Sequence, residues 1–233
     1  VAPLCGQDEA VLRWTFDKRE ITAGNVADLS GNGNSGLATD PGIGWGAGRT
    51  GDQDKNDQAA EFGKAQTEAG IFTRPVVFCK DDPSLRLKNA LTLECWIKLK
   101  DRPFRNGNRF SVIMAKADVN IWDWAPIAKT LSYGLVYLDS TADKDNLTFM
   151  LNDGQTTHVL VANTADLVRP GEWHHLAATY DGKQMRLFVD ARLTAASAPL
   201  TFTVKETGSD FWIGLFSNAL IDEVQITGKA KSF

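Results

Sequence analysis

In the run Leu91–Lys98 (LTLECWIK), a carboxylate, an indole and an amine alternate with aliphatic side chains. Successive side chains of a β-strand point to opposite faces, so Leu91, Leu93, Cys95 and Ile97 turn to a core while Glu94, Trp96 and Lys98 share the other face. The run Met185–Asp190 repeats this, with Met185, Leu187 and Val189 inward and Arg186, Phe188 and Asp190 outward. Near the end of the chain, inward Val224 and Ile226 put Glu223 and Gln225 on the outside. If the three runs share a sheet, its outer face carries Glu94, Trp96, Arg186, Phe188, Glu223 and Gln225. Aromatic planes among polar side chains suit a sugar: the rings stack on its apolar face and the polar groups bond its hydroxyls. The competing expectation is a curved sheet that covers these residues with its own loops.

Two further tryptophans, Trp122 and Trp124, alternate in NIWDWAP beside Pro126. On an exposed rim loop they would stack on a glycan or form a protein-binding hot spot; folded back, the same loop buries both. Glycoside cleavage needs one carboxylic acid and one carboxylate flanking the bond, and Glu94 with Glu223 would offer such a pair if their strands were neighbours. Isolated surface glutamates are far more often solvated or bonded to Arg or Lys. No Gly-x-Ser-x-Gly, phosphate-cradling loop or zinc spacing is present, so the composition favours a non-catalytic module.

The elements that must position these residues are strands. GEWHHLAATYDGKQMRLFVDARL, residues 171–193, reads as a hairpin turning at Asp181-Gly182, where glycine accepts positive φ. Strand-like runs also occur at Ala10–Asp17, Leu85–Lys100, Phe110–Lys116, Tyr133–Asp139, Asn146–Leu151 and His158–Ala162, then at Trp173–Tyr180, Gln184–Leu193, Phe211–Phe216 and Ile221–Thr227. Turn clusters separate them, helical periodicity is weak, and Gly31–Gln58 reads as a long irregular loop. About ten strands without intervening helices predict an all-β fold, two antiparallel sheets packed face to face as a sandwich or jelly roll.

The 233 residues suffice for one such domain, and nothing in the composition marks a linker. A net charge of −4, from 25 basic and 29 acidic residues, comes without a basic stripe and argues against a nucleic-acid partner. No apolar run approaches the roughly 18 residues that span a bilayer. Of the three cysteines, Cys95 reads as a buried thiol by strand parity, leaving Cys5 and Cys79 able to pair in an oxidising compartment.

Four segments in order resemble the laminin-G-like jelly-roll modules of the concanavalin A-like lectin and glucanase superfamily. They are WTFD (14–17) with DLSGNGNSG (28–36), LTLECWIK (91–98), WHHLAATYDG (173–182) running into MRLFVD (185–190), and Ile213-Gly214 leading to IDEVQI (221–226). The match runs from about Ala10 to Ile226. It departs from the pattern at Ala191, where glycine is usual, and in an insert from Asn106 to Leu131. The resemblance implies a lectin-like accessory module of a secreted or surface protein, extracellular or periplasmic, within a larger multidomain chain. Its partner would be carbohydrate or protein. It also implies a structural calcium ion, with Asp28, Asn32, Asn34 and Asp222 as ligands by position; hard cations want such oxygen donors. The alternative is that Asn and Gly there serve only turn conformations. The acidic Glu-x-Asp-x-x-Glu cluster of the glucanases is absent.

Overall fold

The computed structural model describes residues 10–39, 43–51, 57–63, 66–68, 71–73, 75–103, 110–118, 129–141 and 143–233. In chain order its strands begin with β1 (Ala10–Trp14), β2 (Ile21–Thr22), β3 (Asn25–Val26), β4 (Gly36–Ala38), β5 (Gly44–Ala47), β6 (Gln58–Phe62), β7 (Gln66–Glu68), β8 (Ile71–Thr73) and β9 (Val77–Cys79). The longer strands follow: β10 (Leu91–Leu99), β11 (Phe110–Lys116), β12 (Tyr133–Leu138), β13 (Asn146–Asn152) and β14 (Thr157–Asn163). The last five are β15 (His174–Tyr180), β16 (Met185–Val189), β17 (Arg192–Ala196), β18 (Phe211–Ile213) and β19 (Ala219–Thr227).

They form two antiparallel sheets packed as a sandwich. The first runs β17-β16-β15-β10-β19-β6-β5, with β1 also against β19; the second runs β14-β13-β12-β11-β18-β9-β4-β3-β2, and β7 pairs β8 apart. Alternation decides which side chains fill the space between the sheets. Leu91, Leu93 and Cys95 of β10 and Leu176, Ala178 and Tyr180 of β15 are fully enclosed there. They share one core with Tyr133 and Leu135 of β12 and Leu147, Phe149 and Leu151 of β13. Burial of this apolar set is the main source of stability. Trp14 joins the first strand to that core: its ring lies 5.7 Å from Phe211, and its Nε1 donates to the Asn34 carbonyl at 2.9 Å. Cys79 and Cys95 are unpaired and buried, and burial pushes the Cys79 thiol up to about 12. Cys5 lies outside the described residues.

Two expectations are corrected. Gly31–Gln58 is not one irregular loop, since it contains β4 and β5 and reaches the first residue of β6. Gln184–Leu193 is not one strand: Val189 pairs with Arg192 across a two-residue turn in which Asp190 has φ 50° and Ala191 φ 62°. Both central residues are left-handed, the primed geometry that matches the twist of paired strands, and here alanine adopts it. The turn at Asp181 is longer, spanning residues 181–184, with the Asp181 carboxylate accepting from the N–H groups of Lys183 at 2.9 Å and Gln184 at 2.8 Å.

The second sheet is buried on part of its outer side, although Val159 and Val161 of β14 stay exposed there. Val112, Val136, Met150 and Leu215 form a separate apolar cluster there with Phe110 and Leu131.

Candidate binding face

The outer face of the first sheet is built on the pairing of β10 with β15 and β19. Glu94 lies opposite Ala177 on one side and Gln225 on the other; Trp96 lies opposite His175 and Asp222. Between Gln225 and Asp222 the register slips, because Glu223 and Val224 together oppose Cys95 alone. This is a β-bulge, and Glu223 sits in it with φ 48°. Val224 returns to the core, so Asp222 as well as Gln225 faces outward. Asp222, placed by sequence resemblance among metal ligands, thus stands across from the indole of Trp96.

Around Trp96 the polar groups are densely connected. Trp96 and His175 are half-buried, with ring centroids 5.4 Å apart. The exposed Arg49 holds its guanidinium carbon 4.7 Å from the Trp96 ring centroid, a cation–π contact. The Glu94 carboxylate, 8% exposed, receives Lys231 Nζ at 2.5 Å and lies 3.3 Å from His175 Nε2. Burial works to raise its pKa, but the bonds from His175 and Lys231 outweigh that and hold it below the ordinary value. Asp222 goes the other way. Its carboxylate accepts from the N–H groups of Arg49 at 2.9 Å and Glu223 at 2.8 Å, yet burial pushes it up to about 7. Burial also raises Glu223, against the pull of Arg13, whose guanidinium lies 3.8 Å from it.

Of the residues expected on this face, Glu94, Trp96 and Gln225 are brought together, with Glu223 at the border toward β1. Phe188 is 8% exposed and packs 5.2 Å from the ring of Phe233. Arg186 is committed elsewhere, donating at 2.7 Å both to Asp181 and to Gln184 of the adjoining turn. Trp122 and Trp124 lie outside the described residues. His174 is structural: its Nε2 accepts from the Arg169 N–H at 3.1 Å, so Nδ1 carries the proton donated to Asp190 at 2.8 Å.

Four contributors had not been expected: Arg49, His175, Lys231 and Phe233. The last two belong to the segment after β19, which crosses the face. There Thr92 Oγ1 donates to the Lys229 carbonyl at 2.7 Å and accepts from the Lys231 N–H at 2.9 Å, while the Phe233 ring rests 5.4 Å from His175. Part of the face is therefore covered by the chain itself, as the competing expectation held. The Trp96 end is not covered in that way.

The loop DLSGNGN is closed by its own hydrogen bonds. The Asp28 carboxylate accepts from the N–H groups of Arg13 at 2.9 Å, Ser30 at 3.0 Å and Asn34 at 2.9 Å, and from the Ser30 hydroxyl at 2.7 Å. Asn32 Nδ2 donates to the Ala10 carbonyl at 3.1 Å and Asn34 Nδ2 to that of Val11 at 2.7 Å, with Gly31 and Gly33 at φ 85° and 82°. Asp28 and Asp222 have separate partners and do not form one ligand set. Among the described residues no three His, Cys, Asp or Glu side chains are grouped to hold a metal. A calcium ion at Asp28 would have to replace donors the protein already supplies, so the four residues do not fit a shared ion.

Two antiparallel sheets around one core, with an aromatic and polar outer face, define a jelly-roll β-sandwich. The chain belongs to the concanavalin A-like lectin/glucanases superfamily, whose laminin-G model matches residues 76–232. Human pappalysin-1 is 26% identical over 151 residues, which cover 60% of this chain and 9% of that protein. Domain 4 of AbnA, a GH43 extracellular arabinanase from Geobacillus stearothermophilus solved with arabinotriose, superposes with a TM-score of 0.65 at 14% identity, covering 97% of this chain and 96% of that one. The binding domain of Paraclostridial Mosquitocidal Protein 1 gives a TM-score of 0.67 at 13% identity over 96% of this chain and 50% of its own. The ligand-binding domain of botulinum neurotoxin serotype D, in complex with N-acetylneuraminic acid, gives 0.65 at 13% over 97% and 48%. The chain thus spans about half of each toxin chain and a small part of pappalysin-1.

Proposed function

We propose that the chain is a non-catalytic module that binds carbohydrate on the outer face of its first sheet, within a larger extracellular or cell-surface protein. The observation that carries this is Trp96, half-buried and flanked by His175, Glu94, Gln225 and Asp222. A pyranose or furanose ring would stack on the indole, with its hydroxyls toward the half-buried His175 and Gln225. Arg49 is exposed, and its hold on the indole, about 0.5–1 kcal/mol at such a site, is small enough for a ligand to displace. Two further facts support the reading. Two similarly folded domains were solved with saccharides bound, and one of these belongs to an extracellular enzyme. Among the described residues no helix is long and apolar enough to cross a membrane.

A glycan array followed by calorimetry tests it. Trp96→Ala should weaken binding at least about tenfold, the loss expected of a stacking aromatic anchor, with the fold retained. Array hits that bind the variant as well as the parent would refute the site.

One observation favours an enzymatic reading. Asp222, pushed up to about 7 by burial, and Glu94, held below its ordinary value, lie on adjacent strands, and divergent carboxyls are how acid and base roles are assigned. Against it, the two are 1% and 8% exposed and already hydrogen-bonded. Release of reducing sugar from any oligosaccharide, abolished by Glu94→Gln, would replace the binding reading with this one.

A further inference from the structure

A cavity of about 400 Å³ opens beside the segment that precedes β18, lined by Asp118, Lys129, Thr130, Lys205, Thr207 and Ser209, with Glu206 and Gly208. That volume lies within the range of small-molecule sites, about 300–1,000 Å³. No binding-face residue contributes to it.

One wall is rigidly built. Lys116 of β11 is fully enclosed and donates to the Ser209 carbonyl at 2.5 Å and to the Asp81 carboxylate. Asp81 in turn holds Arg86 at 2.5 Å. Removing Asp81 would strand the Lys116 ammonium in the interior, so this network fixes where the 208–209 backbone stands. Nearby, Ser132 Oγ donates to the Lys205 carbonyl at 2.6 Å, and the Lys205 N–H donates to Asn152 O at 2.7 Å. Lys205 is thereby anchored at its backbone, leaving its ammonium free to serve the cavity.

The charges of the lining do not cancel. Glu206 is neutralised by Lys88 at 2.9 Å. Lys129 and Lys205 have no ion-pair partner among the described residues, and Asp118 is the one carboxylate of the lining left to oppose them. The Thr207 hydroxyl oxygen is enclosed without a hydrogen-bond partner. Two ammonium groups beside hydroxyls and one carboxylate match a specific chemistry. The ammoniums take an anionic group, while Asp118 and the Thr207 hydroxyl take neighbouring hydroxyls. A bare inorganic anion would have no use for Asp118.

We infer that this cavity is a second saccharide site, selective for sugars carrying a carboxylate, such as uronic acids. It rests on the reading of the chain as a carbohydrate-binding module but uses a surface separate from Trp96. The test is calorimetric or NMR titration of the whole chain with trigalacturonate and, in parallel, with neutral arabinotriose. Trigalacturonate should bind more tightly than arabinotriose at low salt and lose affinity between about 20 and 300 mM salt, as exposed charge pairs do. Lys129→Ala with Lys205→Ala should weaken it at least about fivefold, the sum of two partly exposed ion pairs. In the Trp96→Ala background, where the other face is disabled, trigalacturonate should still bind and the lysine pair should still set its affinity, and melting curves confirm that each variant is folded. Absence of trigalacturonate binding up to about 10 mM, a free energy weaker than about 3 kcal/mol, would overturn the inference. So would equal affinity for the two sugars, survival of binding in the double lysine variant of that background, or its loss in Trp96→Ala. These outcomes leave the Trp96 site to be judged by its own neutral-glycan arm.

Discussion

Asp222 should make this protein less stable as the pH rises through the mildly acidic range. Its carboxyl titrates at about 7 in the folded chain because burial disfavours the anion. In the unfolded chain it titrates near 3.9, a gap of about 4 kcal/mol. Below about pH 3.9 both states hold the proton and the group contributes nothing. Between that value and about 7 only the folded state keeps it, so folding binds a proton and each rise in pH costs stability. Above about 7 both states are ionised and the whole penalty persists. Asp222→Asn is neutral throughout. It loses one acceptor, because its amide nitrogen must face the N–H of Arg49 or Glu223, a pH-independent cost of about 1–3 kcal/mol. Urea unfolding of both proteins from about pH 4 to pH 8 isolates the effect, since every other carboxylate is common to the pair. The stability of the parent relative to the variant should fall by about 4 kcal/mol across that range. A difference that stays flat, or rises, would show that Asp222 is not desolvated as described and that the face near Trp96 is wetter than its packing indicates.

Other outcomes follow from local geometry. Ala191→Gly should raise stability by about 0.5–1 kcal/mol in urea melts, because it relieves a left-handed alanine at φ 62° by more than it loosens the unfolded chain; a loss would mean that the turn is not of the primed type. EDTA should leave the melting temperature unchanged, because the Asp28 carboxylate is already bonded to Arg13, Ser30 and Asn34. A rise with added calcium would reinstate the ion implied by resemblance, since a ligand of the folded state stabilises by mass action.

Much of the sandwich was legible because its long strands alternate cleanly. Leu91 to Ile97 and Met185 to Val189 put every second side chain in the core, and that parity alone placed Glu94 and Trp96 outside. Strands of two to four residues, such as β2 to β5, are too short to show a period, so the Gly-rich stretch that holds β4 and β5 read as a loop. The bulge left a trace that parity from Val224 backward overlooked. Ile221 and Val224 are both buried but three residues apart, and an odd interval inside a strand marks an extra residue. No comparable signal pointed to Arg49 or Lys231. Their places depend on how connecting segments fold over a sheet, which periodicity does not encode.

The bulge in β19 has a bearing on how related chains can differ in length. With Glu223 taken out, Ile221, Asp222, Val224 and Gln225 would still meet Ile97, Trp96, Cys95 and Glu94 in strict inside-outside order. The interior is indifferent to that one residue. Here, then, the strand can gain or lose a position without repacking, and the number of acidic groups along the β1 border of the face can change while the hydrophobic weave beneath stays as it is.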